Sequence, residues 1–296
     1  MSTTYVRATV AHVQRLTPAM IRITLRSDDL RDYEADGYPD DYCRVLFPHP
    51  GEREPVIPET VDGLQVTPAG RVDAPMRNYS IRRLDRDVRE VDIDFVVHGR
   101  GIATNWAQRA RPGDVLALGP AGGGYAPPAG VAWRHLAADI TALPAASRVI
   151  EELSAGERLI ASIVVPTPAD EQRLVSAGDV ELRWTHEPDP ARVGAALLRA
   201  VEEFAAPAGE GYTWVCGENT ACRLARRHLR HTLGLPADRY RTLGYWRLDD
   251  ERWAARYREV ADEVDQRIEE AGAAISDDER FMDEVERIYE EAGLGW

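Results

Sequence analysis

At Val131 the sequence changes rhythm, and the change limits the architectures open to it. From there WRHLAADI reads as a strand and LPAASRVIEEL as a helix, then RLIASIVVP as a strand and ADEQRLVSA as a helix. VELRWTHE, ARVGAALLRAVEEFA, YTWVCGE and TACRLARRHLRHTL continue the same alternation. Parallel strands cannot be joined by a tight turn; they need a crossover, usually a helix. The alternation therefore predicts a parallel sheet covered by helices, with ligand sites at the carboxyl ends of its strands.

Before Val131 the pattern is β. YVRATVAHVQRL, MIRITLRS, YCRVLFPHP, MRNYSIRR, EVDIDFVVHG and DVLALGPAG are short runs separated by turn residues, the spacing of a small barrel or sandwich. One helix, Gly101 to Ala110, interrupts them and stops at Arg111-Pro112-Gly113. Between the two regions lies GPAGGGYAPPAG, Gly119 to Gly130. It lacks the G-x-x-x-x-G-K-S/T of a phosphate loop and its prolines do not open a helix, so it reads as a linker or surface loop. A chain of 296 residues accommodates two such domains.

The region after Trp246 is helical and acidic. Trp253, Tyr257, Val260, Val264 and Ile268 share one helical stripe. Ser276-x-x-Glu279 forms a capping box ahead of Phe281, Val285 and Ile288. From Glu251 to Trp296 there are about 15 acidic residues against 6 Arg. A solvated charged face, with its apolar stripe on the body or on a second subunit, accounts for this, so a homodimer through these helices is one expectation. The net charge of −14 and pI near 5.0 argue against a nucleic-acid partner. Every basic residue is Arg; there is no Lys. Cys43, Cys216 and Cys222 form no C-x-x-C pair, which predicts neither a disulfide scaffold nor a metal site. MSTTYVRATVAHV lacks the apolar core of a signal peptide, and no run is long enough to span a bilayer. A cytoplasmic protein without membrane contact is expected.

MRNYSIRR, Met76 to Arg83, alternates like a strand yet has no apolar face. An Arg fork can grip a pyrophosphate, a Tyr face can lie on a flat ring, and a Ser hydroxyl can donate or accept. Arg77, Tyr79 and Ser80 would thus suit a cofactor with a phosphate and a planar redox ring; the other reading is an exposed polar edge strand. FVVHGRGIATNWAQRA follows as strand, glycine turn and helix. Gly99 and Gly101 permit close backbone approach, and the helix start with Thr104 can bind an anion. His98 is either a ligand or a strand-end histidine.

These stretches, in order, resemble the siderophore-interacting, FAD-dependent ferric-siderophore reductases of the ferredoxin–NADP reductase-like superfamily. The family carries R-x-Y-T/S-x-R, an F-V-x-H-G strand, a G-x-A-x-x-W helix, then P-G-D and G-P. This chain has Arg77 to Arg82, Phe95 to Gly99, then Gly101, Ala103 and Trp106, with Pro112-Gly113-Asp114 and Gly119-Pro120 following. The family's D-E-T-A-L-P-A turn appears as Asp139 to Ala145, its G-E as Gly217-Glu218, and its G-Y-W-R as Gly244 to Arg247. The resemblance runs from about residue 5 to 255.

It implies an antiparallel β-barrel flavin domain over 1–125, an α/β domain with a parallel sheet for a nicotinamide dinucleotide over 126–248, and an acidic helical extension over 249–296. Arg77, Tyr79, Ser80 and Arg82 would hold FAD, joined by His98, Gly99, Gly101, Ala103, Thr104 and Trp106. Tyr245 and Trp246 would wall the flavin pocket or pack as a core pair. Asp139, Thr141, Ala142, Gly217 and Glu218 would meet NADPH or NADH. Ile140 departs from the family's acid in that turn. Arg44 stands where the family usually has a Lys facing the iron chelate; with Arg134 and Arg247 it is a candidate contact for an anionic ferric siderophore, each being otherwise a surface charge. No iron–sulfur cluster is expected, since a C-terminal cysteine cluster is missing. The implied activity passes electrons from NAD(P)H through the flavin to Fe(III), with no residue acting as acid, base or nucleophile. A flavin reductase or diaphorase with another acceptor, a ferredoxin donor, and a non-catalytic flavin- or siderophore-binding protein are the alternatives.

Overall fold

The computed structural model describes residues 5–61, 64–97, 99 and 101–294. Its first half holds β1 (Val6–Thr17), β2 (Met20–Arg26), β3 (Tyr42–Leu46), β4 (Glu59–Val61), β5 (Leu64–Val66), β6 (Met76–Ser80), β7 (Arg83–Asp85), β8 (Glu90–Val96), α1 (Ile102–Arg109) and β9 (Val115–Gly122). Seven strands form one sheet in the order β6-β3-β9-β1-β2-β8-β7, with β4 and β5 paired as a separate ribbon. Every pairing in the large sheet is antiparallel, as expected. Periodicity missed β4, β5 and β7 because none of them buries an apolar face.

The two edge strands, β6 and β7, are separated in the chain only by Ile81 and Arg82. Two residues span roughly 7 Å, so the sheet has to curl to bring the end of β6 near the start of β7. It curls around Phe47, Phe95 and Trp106, whose rings pack at 5.7–6.3 Å.

The second half holds β10 (Trp133–Asp139), α2 (Leu143–Glu151), β11 (Arg158–Val165), β12 (Asp179–His186), α3 (Pro190–Glu202), β13 (Gly211–Glu218), α4 (Asn219–Arg227) and β14 (Tyr240–Trp246). Its five strands are parallel in the order β12-β11-β10-β13-β14. The chain winds outward from β10 to β12, then crosses to β13 and winds the other way. The switch therefore falls between β10 and β13, where such sheets open a crevice. Alternate residues go to opposite faces: Leu136, Ala138, Trp214 and Cys216 pack with α2, while Ala137 and Val215 pack with α3 and α4.

ADEQRLVSA is not a helix. Beyond one 3-10 turn, Pro168–Asp170, the segment is irregular. Pro166 and Pro168 disfavour a helix ahead of it, and its polar groups are drawn across to the first half. The Ala19 amide donates to Asp170 Oδ1 at 2.8 Å, and Gln172 Nε2 reaches Met20 Sδ at 3.2 Å.

His135 on β10 is 1 % exposed and stacks flat on Phe204, centroids 3.7 Å apart, with no partner for either ring nitrogen among the described residues. Burial pushes its pKa down to about 3, with the charge of Arg183 acting the same way. A depressed folded-state pKa contributes stability that is present above the unfolded value and lost as pH falls. The loss should start near pH 6.5 and run toward pH 3, with a limiting slope of about 1.4 kcal/mol per pH unit. Thermal melts from pH 7 to pH 4.5 should show His135→Phe losing less stability than the parent; equal losses would contradict this.

The chain ends in a hairpin of α5 (Asp250–Ala274) and α6 (Asp278–Glu291). Within the chain, the expected stripe meets the body through Trp253, which lies under Arg247. Most of it packs inside the hairpin, where Val264, Ala271, Ile288 and Leu294 gather Trp253, Tyr257 and Val260. The cap of α6 is also displaced by one residue. Asp277 accepts the Arg280 amide at 2.8 Å, while Glu279 is taken by Arg226, Arg230 and Tyr240. No helix of the described residues is long and apolar enough to cross a membrane.

Candidate functional site

The polar strand β6 is an edge strand, paired only with β3, where Asn78 faces Arg44 and Tyr79 faces Cys43. Its other edge has no strand partner among the described residues. Arg77 is exposed, donates to the Met76 carbonyl at 2.7 Å and forms no ion pair among the described residues. Tyr79 turns its ring against Phe95, 4.4 Å away, and burial raises its phenol pKa, so it stays neutral. Ser80 is 5 % exposed and its Oγ lies 3.5 Å from the Tyr245 hydroxyl. That approach brings β6 to β14, at the carboxyl edge of the parallel sheet.

Arg82 does not join them. Its guanidinium donates to Glu151 on α2 at 2.7 Å and lies 4.0 Å from Asp94, so it bridges the two halves. Arg148 on α2 adds a bond to the Ile81 carbonyl at 3.2 Å.

Ahead of α1, Gly99 sits at φ +43°, and a Cβ added at Gly99 or Gly101 would meet no atom within 4 Å. The first amides of α1 are thus approachable from that side. Ala103, Thr104 and Trp106 face the other way. Thr104 Oγ1 donates to the Val96 carbonyl at 3.3 Å, and Trp106 is 3 % exposed against Phe47 and Phe95. They anchor the helix so that its amino end stays in place. His98 lies outside the described residues.

At the switch point Asp139 is fully buried, and four donors converge on it. Oδ1 accepts the Thr141 amide (2.9 Å) and hydroxyl (2.6 Å); Oδ2 accepts the Glu218 amide (2.8 Å) and the Trp246 indole (2.7 Å). Burial raises its pKa, and these four donors pull it back. The carboxylate clips together the ends of β10, β13 and β14, and it fixes the Trp246 ring. Gly217, φ +153°, has to be glycine: a Cβ there would lie 2.4 Å from Asp139 Oδ2. Ile140 is buried in the core under α2, and Ala142 is buried at the start of α2. Glu218 caps α4 through the Ala221 amide at 2.9 Å and lines a groove of about 290 Å³ with Gly194, Leu198, Leu224 and Leu248.

Of the three candidate arginines for an anionic substrate, Arg44 is exposed beside β6 and forms no ion pair among the described residues. Arg134 is ion-paired to Glu157 at 2.5 Å near the amino end of β10, five residues from Asp139 and roughly 16 Å away along the strand. Arg247 is spread over the Trp253 ring at 4.0 Å, and burial lowers its pKa.

The sequence reading missed Asp40. It is fully buried, and its Oδ1 accepts the amides of Gly124 and Tyr125, each at 2.8 Å. A Cβ on Gly123 would come within 2.5 Å of that oxygen, and one on Gly124 within 2.5 Å of the Arg241 guanidinium. The glycine run is thus a closely packed junction, with the Gly124 amide committed to Asp40. Only the Asp40-Asp41 pair ahead of β3 hinted at a buried acceptor.

Residues 9–124 match the siderophore-interacting FAD-binding domain and residues 131–249 the siderophore-interacting protein family. A siderophore utilization protein from T. fusca, a solved structure, is 33% identical with TM-score 0.74, covering 84% of this chain and 95% of that one. Ferric vibriobactin reductase ViuB of Vibrio cholerae is 28% identical over 77% of this chain and 84% of its own length. The NADPH-dependent ferric-chelate reductase of Escherichia coli is 28% identical over 80% of this chain and 91% of its own length.

Proposed function

This chain belongs to the siderophore-interacting protein family, and from that membership we propose how its residues serve as an FAD-dependent reductase of ferric siderophores. The curled sheet is the flavin barrel (1–125), the parallel sheet is the nicotinamide half (126–248), and residues 249–296 are an extension. The observation that carries the reading is the approach of Ser80 on β6 to Tyr245 on β14 at 3.5 Å. It sets the flavin-type strand beside the crevice of the parallel sheet.

The residues fit an FAD. An unpaired Arg77, open glycines at 99 and 101, and the amino end of α1 supply charge and amides for a pyrophosphate. Tyr79 and Ser80 supply a neutral ring and a hydroxyl for the flat end. Bound FAD supplies the conversion of a two-electron donor to single-electron reduction of Fe(III). The chain's own part is binding, orientation and exclusion of water. Asp139 holds Trp246 and the Glu218 amide in place, so Trp246, Thr141 and Gly217 would form a wall for the nicotinamide of NADPH or NADH. Arg44, beside β6, attracts the anionic chelate.

An anaerobic absorbance titration tests this. The reconstituted protein should show a flavin spectrum that bleaches with NADPH or NADH and returns on adding a ferric tris-catecholate. Bleaching without recovery would favour the diaphorase reading. A protein that takes up no flavin would return Arg77, Tyr79 and Ser80 to a polar edge strand.

A further inference from the structure

The matched family segments end at Asp249, and residues 250–296, with 16 acids against 6 Arg, carry most of the chain's net charge of −14. The α5–α6 hairpin has its own apolar core, so it does not depend on the body to bury its stripe. Its seat on the body is made of charge. The stretch from Asn219 to Thr232, α4 and the turn of π-helix after it, contains no acidic residue and four arginines. Arg226 reaches Glu279, Asp283 and Glu286 at 2.6, 2.8 and 3.2 Å. Arg230 meets Glu279 and Asp283, both at 2.9 Å. Arg223 and Arg227 both meet Glu290 at 3.0 Å. Acids and arginines each recur at three- and four-residue steps, so each helix shows the other one charged face, and the two run antiparallel.

We propose that the arginine face of α4 is a docking surface for an acidic helix of a partner protein, which α6 occupies within the chain as a displaceable cover. The charge pattern fits one kind of occupant, a helix with carboxylates on one face, and α6 is the occupant at hand. The outer pairs are open to water, Arg227 and Glu290 being each 48% exposed as side chains, and such pairs hold weakly and are screened by salt. Arg226 and Glu286 at the centre are nearly buried, so the cover gives way to an incoming helix that brings carboxylates of its own rather than to loss of the pairs outright. The hairpin keeps its core when it lifts, and the chain enters it at Asp249, whose φ is +57°. Further ties are the Tyr240 hydroxyl, which donates to Glu279 at 2.7 Å, and Arg247 over Trp253 at the hinge end.

The test uses a fluorescein-labelled peptide of residues 276–292 and full-length protein, read by anisotropy at about 50 mM salt. The full-length variant Glu279→Gln/Asp283→Asn/Glu286→Gln/Glu290→Gln cannot cover the face. It should bind the peptide about tenfold or more tightly than the parent, and lose it at about 0.5 M salt. Adding Arg226→Gln and Arg230→Gln should abolish binding. A folded variant that binds no better than the parent overturns the proposal. Small-angle X-ray scattering on the unmodified chain, with the peptide in large excess, gives an independent reading. The radius of gyration should rise as the hairpin is displaced; unchanged dimensions overturn the proposal equally.

Discussion

Arg77→Ala is expected to yield a folded protein that no longer holds FAD. Among the described residues the guanidinium makes one bond, to its neighbour's carbonyl, so its loss leaves the packing unchanged. Toward a pyrophosphate it offers charge-assisted, forked bonds worth about 2–3 kcal/mol, so FAD affinity should fall roughly 30- to 150-fold. Flavin released on desalting, followed by fluorescence, measures this; melting temperature of the apoprotein is the control. Full flavin retention in the variant would remove the assignment of β6 to the cofactor.

Asp139→Ala has the opposite signature. The side chain is inaccessible to any ligand, yet four donors depend on it. Its removal strands the Glu218 amide in a dry place and takes the acceptor from three part-buried donors, so about 2–4 kcal/mol of stability should go, roughly 5–10 °C in melting temperature. FAD bound through β6 should be kept, while bleaching by the nicotinamide donor slows because Trp246 and the Gly217–Glu218 turn lose their anchor. Gly217→Ala should act in the same direction, since its Cβ would collide with the same carboxylate. A variant that melts like the parent would mean the four bonds carry little.

Asp139 also marks the limit of reading by motif. Its position at the end of the first parallel strand was legible, because strand ends and turns are set by neighbours in the chain. Its role as a buried clip was not, because two of its donors, the Glu218 amide and the Trp246 indole, lie 79 and 107 residues away. Arg82 makes the same point. The motif placed it with Arg77, but the curl of the sheet turns it to Glu151 on the far side of the junction. ADEQRLVSA had a plausible helical pattern, yet Asp170 and Gln172 are drawn to the Ala19–Met20 turn, and a helix would break those contacts.

What the sequence alone determined is the part written in short-range chemistry. Strand and helix periods put a parallel sheet after an antiparallel one. Glycine and proline set the breaks, and β6 announced itself by having no apolar face. What needed the folded chain was the choice of partner for each charge. Thirty-six arginines among fifty carboxylates allow many pairings. Coulomb attraction depends on separation and burial, neither of which is written in residue order. Only packing tells Arg77 and Arg44, which form no ion pair among the described residues, from Arg82 and Arg134, which are committed. Packing likewise turned an acidic tail into a cover for the arginines of α4.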